Sequence, residues 1–483
     1  MTSAITIDQH QLFIDGEFRA AASGAEFETL NPADGTTLMS VARAGDQDVD
    51  EATRAAYDAR GKWRNTSPTD RGRLLLAIAA QLRAESEMLA QMECLDNGKP
   101  ITQARFDIEY SARYFEYYGG LADKLDGYVI PLGGHYHSYT TLEPFGVVAL
   151  IAPWNAPLMQ AARGLAPALA TGNTCVVKPS EDTPLTILEF ARIARECGLP
   201  AGVINVIPGF GEDAGAALVR HPLVDRVAFT GSVETGRIIA RMAADRLVPA
   251  SVELGGKSAN IVFEDVDVDV AAHNALRAIN LNCGQNCSAG SRLLVHSSIH
   301  DAVLDRMVAL EREVTVGPGL EDPDVGPLTT RDQYQRVCDY LRIGREEGAE
   351  VISGGGPLED ERLNGGNFVQ PTIFAGVTPQ MRIAREEIFG PVLCVLPFDD
   401  DDEAIAIAND TDFGLVAGIW TNDFSRVHRI SAALEVGQVY INEYFAGGVE
   451  TPFGGVKDSG YGREKGLAAL EHYTRMKTMI ARL

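Results

Sequence analysis

Basic residues are scarce in this chain: 42 Lys and Arg stand against 67 Asp and Glu, a formal net charge of −25 at pH 7. A surface of that sign repels nucleic-acid phosphates and anionic lipid, so no nucleic acid and no membrane are expected as partners. Cysteine is sparse as well. Seven in 483 residues, scattered and odd in number, match neither the density nor the parity of a disulfide scaffold. Cys283 and Cys287 are not spaced as Cys-x-x-Cys, and no second Cys or His pair with zinc spacing accompanies them; the only close histidine pairs lie in "HYH" (135–137) and "HSSIH" (296–300). No metal is therefore expected. Long apolar runs are missing: the most apolar stretch, "GVVALIAPW" (146–154), falls far short of the roughly 20 residues that cross a bilayer. The opening "MTSAITIDQHQLFIDGEF" has neither a basic stretch nor an apolar one, so no secretory leader is expected and the cytoplasm is the expected compartment. Internal repeats and low-complexity linkers are also absent.

What is present is the balance of an ordinary globular protein, 45% hydrophobic and 23% charged. At roughly 150 residues per domain the length suggests about three units. Between about 146 and 263 the pattern alternates. Apolar runs such as "TCVVKP" (174–179), "RVAFT" (226–230) and "ASVEL" (250–254) are separated by helical patterns such as "QAARGLAPALA" (160–170) and "SVETGRIIARMAA" (232–244). That alternation predicts βαβ units around a buried parallel sheet, with ligands beyond the strand carboxyl ends. A second α/β stretch runs from about 259 to 441. "SYTTLEPFG" (138–146) and "EHYTRMKTMIARL" (471–483) read as extended segments outside both. The acidic cluster in "FDDDDEAIAIAND" (398–410) reads as a helix start favoured by the dipole.

Several short stretches can carry chemistry, and each also has a plain structural reading. In "FTGSVETG" (229–236) a strand ends, Gly231 turns the chain and Ser232 offers an N-cap. The free N–H groups of that helix start suit a dinucleotide phosphate, or the motif is simply a capped helix. "GFGEDAG" (209–215), which contains Gly211, comes near the dinucleotide fingerprint without matching it. "VVKPSE" (176–181) sets Lys178 and Glu181 just past a strand end, where they can hold ribose hydroxyls, or form a solvated loop. "APWNAP" (152–157) places Asn155 in a loop that its prolines stiffen; its amide can face an oxyanion, or it is a turn residue. "VELGGK" (252–257) ends a strand on Glu253. Half-buried, that carboxylate has a raised pKa and can act as a general base; facing water, it does neither. In "NCGQNCSAG" (282–290) Cys287 follows a helical run among small residues, as a nucleophile toward a carbonyl or an inert thiol. Cys283 is expected one helical turn behind it if that turn is regular. Tyr110, Tyr114, Tyr117 and Tyr118 have helical spacing and are expected in the core, with a tunnel wall as the alternative.

Taken in order, "APWNAP", "VVKPSE", "FTGS", "VELGGK", "GQNCSAG", "EEIFGPV" (386–392) and "PFGGVKDSGYGRE" (452–464) resemble the signature set of the NAD(P)-dependent aldehyde dehydrogenase superfamily, over nearly the whole chain. The spacing from Glu253 to Cys287 (287 − 253 = 34) is also similar to that family. The resemblance implies an α/β, aldehyde dehydrogenase-like fold: a Rossmann-like cofactor domain, an α/β catalytic domain and a small β oligomerisation arm. The corresponding boundaries are 1–121 and 145–254 for NAD binding, 255–458 for catalysis, and 122–144 with 459–483 for oligomerisation, as a homodimer or homotetramer.

By the same resemblance Cys287 is the nucleophile, Asn155 and the Cys287 N–H form the oxyanion hole, and Glu253 activates the water. Glu464 matches a glutamate proposed to relay protons. Lys178 and Glu181 hold the adenosine ribose, and Glu181 favours NAD over NADP. Gly231 and Ser232 meet the pyrophosphate, Glu387 holds the nicotinamide ribose, Phe389 packs near the nicotinamide and Trp154 lines the cleft. Gly211 and Leu254 complete the cofactor set. The implied reaction is NAD-dependent oxidation of a small aldehyde to an acid through a thiohemiacetal and a thioester.

Two departures bear on substrate. Ala156 stands where many relatives have an aromatic residue, and Arg163 where an aromatic residue often guards the substrate tunnel. An arginine there resembles the succinic semialdehyde branch, so Arg163 either reads an oxygen-rich or anionic tail or pairs with a nearby acid. Gly164 replaces a lysine often found beside that position, which puts a lysine–glutamate relay, and Glu464 with it, in question. Phe445 lies in a glycine-rich mouth segment, "EYFAGGVET" (443–451). A CoA-acylating relative, which typically lacks the general-base glutamate, and a non-catalytic structural relative are the competing readings.

Overall fold

The computed structural model describes residues 9–483; the first eight residues of the expected 1–121 segment, and the start of the stretch read for a leader, lie outside it. Among the described residues, eight strands form one sheet. Its centre is five parallel strands in the spatial order Ile204–Val206, Thr174–Lys178, Val147–Ile151, Arg226–Thr230, Ala250–Glu253. The chain order reverses between Val147–Ile151 and Arg226–Thr230, the arrangement of a doubly wound fold. Antiparallel strands Leu12–Ile14 and Glu17–Arg19 extend one edge, and Gly460–Tyr461 closes the other against Ala250–Glu253. The terminal segment therefore contributes to this sheet as well as to the arm.

The continuous apolar runs have the predicted cause: both sheet faces are covered. Val148 and Leu150 face a cluster built on the helices Pro68–Ala84, Ile101–Leu121, Pro157–Ala170 and Leu185–Glu196. Their neighbours Val147, Ala149 and Ile151 face the helices Asp46–Asn65 and Val233–Asp245. Each fully buried side chain of this kind stabilises the fold by about 1.5–3 kcal/mol before chain entropy is counted. Tyr114 and Tyr118 are buried in the first cluster, while Tyr110 and Tyr117 pack at its edge.

A second sheet has the order Glu350–Ser353, Thr372–Ala375, Val392–Phe398, Arg292–His296, Ala259–Val262, Val416–Trp420, Gln438–Ile441; all neighbours are parallel except the first pair. The acidic cluster starts the helix Asp401–Asn409, with Asp400 as N-cap accepting from the Glu403 N–H at 2.9 Å. A three-stranded antiparallel arm pairs Tyr136–Pro144 with Thr474–Arg482 on one side and Val129–Ile130 on the other. Among the described residues no helix is long and apolar enough to cross a membrane, and no three His, Cys, Asp or Glu side chains gather as metal ligands would.

Candidate active site

Strand register puts the candidate residues on one edge. Ile151 is paired with Lys178 and with Phe229, and Thr230 with Glu253, so four parallel strands end together. Trp154 and Asn155, Lys178 and Glu181, Gly231 and Ser232, and Glu253 and Leu254 all leave that carboxyl edge, where the reversed strand order opens a crevice.

One half of the crevice is polar and glycine-lined. Ser232 caps its helix, accepting from the Thr235 N–H at 3.2 Å. Lys178 is buried rather than solvated; its ammonium donates to the Pro179 carbonyl at 2.8 Å and to Glu181 at 2.9 Å. The turn Gly211–Gly215 is a wide π-type turn that continues into the helix Ala216–Arg220. Gly211 itself faces open space; Gly215 lies beside the Lys178 side chain, where a Cβ would be in ordinary contact. Leu254 packs onto the Ser232 helix at Gly236. From the segment that leads into the strand Val392–Phe398, Glu387 accepts from the Gly256 N–H at 2.9 Å, and a Cβ on Gly255 would lie 2.2 Å from its carboxylate, so only glycine admits that approach. Burial lifts the Glu387 carboxyl to about 7. Phe389, at φ +62°, meets Trp154 edge-on at 5.3 Å.

The other half holds the thiol. The turn between the two cysteines is not regular. Asn282 and Cys283 stand at φ +53° and +55°, which breaks the helix Val268–Asn280 and throws the chain sideways. Cys283 is thus buried in the core behind the second sheet, while Cys287 is partly exposed against a different apolar cluster that includes Phe445 and Phe453. The two cysteines are not stacked one turn apart.

Asn155 is held from several sides. Its side-chain amide donates to the Gln285 carbonyl at 2.9 Å, leaving one of its two N–H donors for another acceptor. Its own carbonyl accepts from Lys99 at 3.0 Å and from the Asn282 side chain at 2.8 Å. Lys99 is in turn clamped by Glu93 at 3.1 Å and by Asp107. Asn97 donates to the Trp154 carbonyl at 2.9 Å. Sequence reasoning passed over Asn97, Lys99 and Asn282. The polar stretch "LDNGKP" (95–100) after a helical pattern was the available signal, and nothing in it names a partner 55 or more positions away.

Charge is concentrated around the thiol. Glu253 is 2% exposed, and neither of its carboxylate oxygens has a hydrogen-bond partner among the described residues. Burial, then the Glu464 charge, holds its pKa well above the ordinary carboxylate range. Burial pushes the Cys287 thiol up to about 11, with Arg163 pulling it back. Arg163 closes an ion pair with Glu464, both side chains about as inaccessible at 7% and 8% exposure. Of the two readings of Arg163, pairing with an acid is the one the geometry supports. Gly164 has no room for a lysine there: a Cβ would lie 2.4 Å from Leu150.

That pair has a stability consequence. Replacing Arg163 by Leu strands the Glu464 carboxylate out of water and is expected to cost about 3–5 kcal/mol. The Arg163→Leu/Glu464→Leu double variant should recover much of this, because no lone charge remains. Urea unfolding of the three proteins checks it; a single variant as stable as the parent contradicts the pairing.

The sequence model of the aldehyde dehydrogenase family matches residues 18–479. An aldehyde dehydrogenase of Aspergillus niger is 46% identical over 475 residues, 98% of this chain and 95% of that protein. A hydroxyisobutyraldehyde dehydrogenase of Mycolicibacterium austroafricanum is 43% identical over 467 residues, 96% and 92% of the two chains. The NAD⁺ complex of an aldehyde dehydrogenase from Bacillus cereus superposes with a TM-score of 0.97 at 43% identity, over 99% of this chain and 98% of that one.

Proposed function

The chain belongs to the aldehyde dehydrogenase family, and from that premise we propose that it oxidises an aldehyde to a carboxylic acid with NAD, through Cys287. One observation carries the reading: a thiol, an amide and a buried, unpartnered carboxyl from three distant parts of the chain converge on the edge where the first sheet reverses its order. The cofactor fits the residues around it. The Gly255 cradle admits Glu387 at one end, the Lys178–Glu181 pair stands at the other, and the capped helix at Ser232 offers N–H donors to a pyrophosphate. Glu181 accepts from ribose hydroxyls and repels a 2′-phosphate, which favours NAD.

When bound, NAD supplies the hydride acceptor. The chain's own residues do the rest. Once its proton has left, the Cys287 thiolate attacks the aldehyde carbon, and the free N–H of Asn155 with the Cys287 N–H receives the developing oxyanion. Lys99 and Asn282 hold the Asn155 backbone so that its amide waits in place. With the cofactor bound to take the hydride, collapse of the thiohemiacetal would leave a thioester on Cys287. Glu253 takes a proton from water, whose oxygen attacks the thioester carbon; the acid leaves and the sulfur is regenerated. Glu464 is engaged by Arg163, so we assign it to that ion pair rather than to a proton relay.

We place the cofactor domain at 1–121 and 145–254, the catalytic domain at 255–458 and the oligomerisation segments at 122–144 and 459–483, with Gly460–Tyr461 as the exception noted above. Tyr136, Met476 and Ile480 stand exposed on the arm, which supports a homodimer or homotetramer through that surface. Seven free cysteines suit a reducing compartment such as the cytoplasm.

The experiment is an aldehyde panel with NAD and with NADP, following reduced nicotinamide and acid product in the absence of CoA, on protein whose mass in solution is measured by light scattering. Free acid formed with NAD, by a dimer or tetramer, is expected. A product formed only with CoA, no turnover of any aldehyde, or a monomer would each overturn the corresponding part of the reading.

A further inference from the structure

Arg163 cannot serve a substrate anion while Glu464 neutralises it, and the next residue along, Lys465, is in the opposite situation. Its ammonium has no hydrogen bond or ion pair among the described residues. It lies 5.4 Å from the centre of the Phe453 ring, the same ring over which the Arg163 guanidinium sits at 5.3 Å. Phe453 is buried in the apolar cluster against which Cys287 and Phe445 pack, so this cation stands beside the surroundings of the reacting sulfur. The backbone there is pinned: Phe453 and Glu464 exchange both N–H···O bonds at 2.7 Å, and Lys465 is held at φ +63°, a conformation lysine seldom adopts. Facing charges come from Arg163 on its helix, Glu464 on Lys465's own segment, Glu450 on the mouth loop and Cys287. Glu450 is already matched by Arg113 at 2.6 Å. Burial, then Arg163, draws the ammonium down to about 8. A cation drawn partly out of water with no counter-ion is costly until an anion reaches it.

We propose that Lys465 is the specificity-determining cation of this enzyme, and that its substrate is an aldehyde carrying a carboxylate at its far end, received by Lys465 beside Phe453 while the aldehyde carbon meets Cys287. The inference rests on the dehydrogenase reading above. It differs from an arginine-based grip on the same kind of tail, because Arg163 is already matched within the protein.

The test compares kcat/KM for succinic and glutaric semialdehydes with that for butanal and pentanal, in the parent, Lys465→Met and Lys465→Arg. The parent is expected to favour the acid-bearing aldehydes by roughly 10- to 100-fold, the range of one charge-assisted hydrogen bond. Lys465→Met should bring that ratio toward one, with the loss in KM for the acids, and Lys465→Arg should restore most of it. In the parent, KM for the acid-bearing aldehydes should rise as pH passes about 8, where the ammonium loses its proton. KM for the alkanals should not, and Lys465→Arg should lack the step. A parent without acid preference, or a ratio that Lys465→Met leaves in place, overturns the inference while alkanal turnover leaves the dehydrogenase reading standing. Failure to oxidise any aldehyde overturns the dehydrogenase reading instead.

Discussion

Cys287→Ala lowers aldehyde oxidation by roughly 10⁴-fold or more, the scale of losing a nucleophile, and leaves NAD binding in place. The substitution removes one sulfur from a site whose other parts are anchored elsewhere. Asn155 is held by Lys99 and Asn282, and Glu387 by the Gly256 N–H. Lys178 is tied to its own strand end. The residual rate has no covalent route, because the other six cysteines include none placed to substitute; Cys283, the nearest along the chain, is buried in a separate core with its thiol pushed up by burial. Steady-state rates and calorimetric titration with NAD check both halves. Ordinary turnover by the variant would remove Cys287 from the mechanism, and lost NAD binding would mean that the sulfur has a structural task.

Glu253→Gln separates the two halves of the reaction. The expected result is a fall in steady-state kcat of roughly 10²- to 10⁴-fold, the usual range for a general base. A rapid first turnover should survive, with about one reduced nicotinamide per site and a thioester left on the protein. Gln matches the shape of Glu253 and matches its neutral form in charge, so the fold should tolerate it. The pH dependence has a definite sign. Burial and the Glu464 charge hold the Glu253 pKa up, so below that raised pKa the group carries its proton and cannot accept one from water. Parent kcat should therefore climb as pH rises through that value and fall as pH drops below it, and the Gln variant should lose this limb. Stopped-flow traces with mass spectrometry of the quenched protein decide the matter. A variant with neither burst nor trapped acyl group places Glu253 before, not after, hydride transfer.

Much of the scaffold was legible because its causes are local. "RVAFT" is a strand with the same ends as in the sequence reading, since a short run built on Val227, Ala228 and Phe229 between turns can be buried on both faces. Ser232 caps its helix as its position in "FTGSVETG" suggests. Where local reasoning missed, the reason lies in a neighbour remote along the chain. A regular turn after Asn280 would have set Cys283 one turn behind Cys287. Instead Gly284 is pressed against the Gly390 carbonyl, where a Cβ would lie 2.1 Å away, and Gln285 is gripped by Asn155 and Thr329. Lys99 offered no sign in "LDNGKP" that its ammonium would reach the Asn155 carbonyl.

By itself, then, the sequence determined the alternation that builds two covered parallel sheets, the caps and glycine turns at their strand ends, and the set of side chains able to do acyl chemistry. Those follow from interactions between residues a few positions apart. Only the tertiary structure decided which charges are matched and which are left over. Arg163 met Glu464, Glu253 was left without a partner, and Lys465 was left beside Phe453. The strength of each charge depends on burial and on groups hundreds of positions away, and no stretch of contiguous residues encodes either.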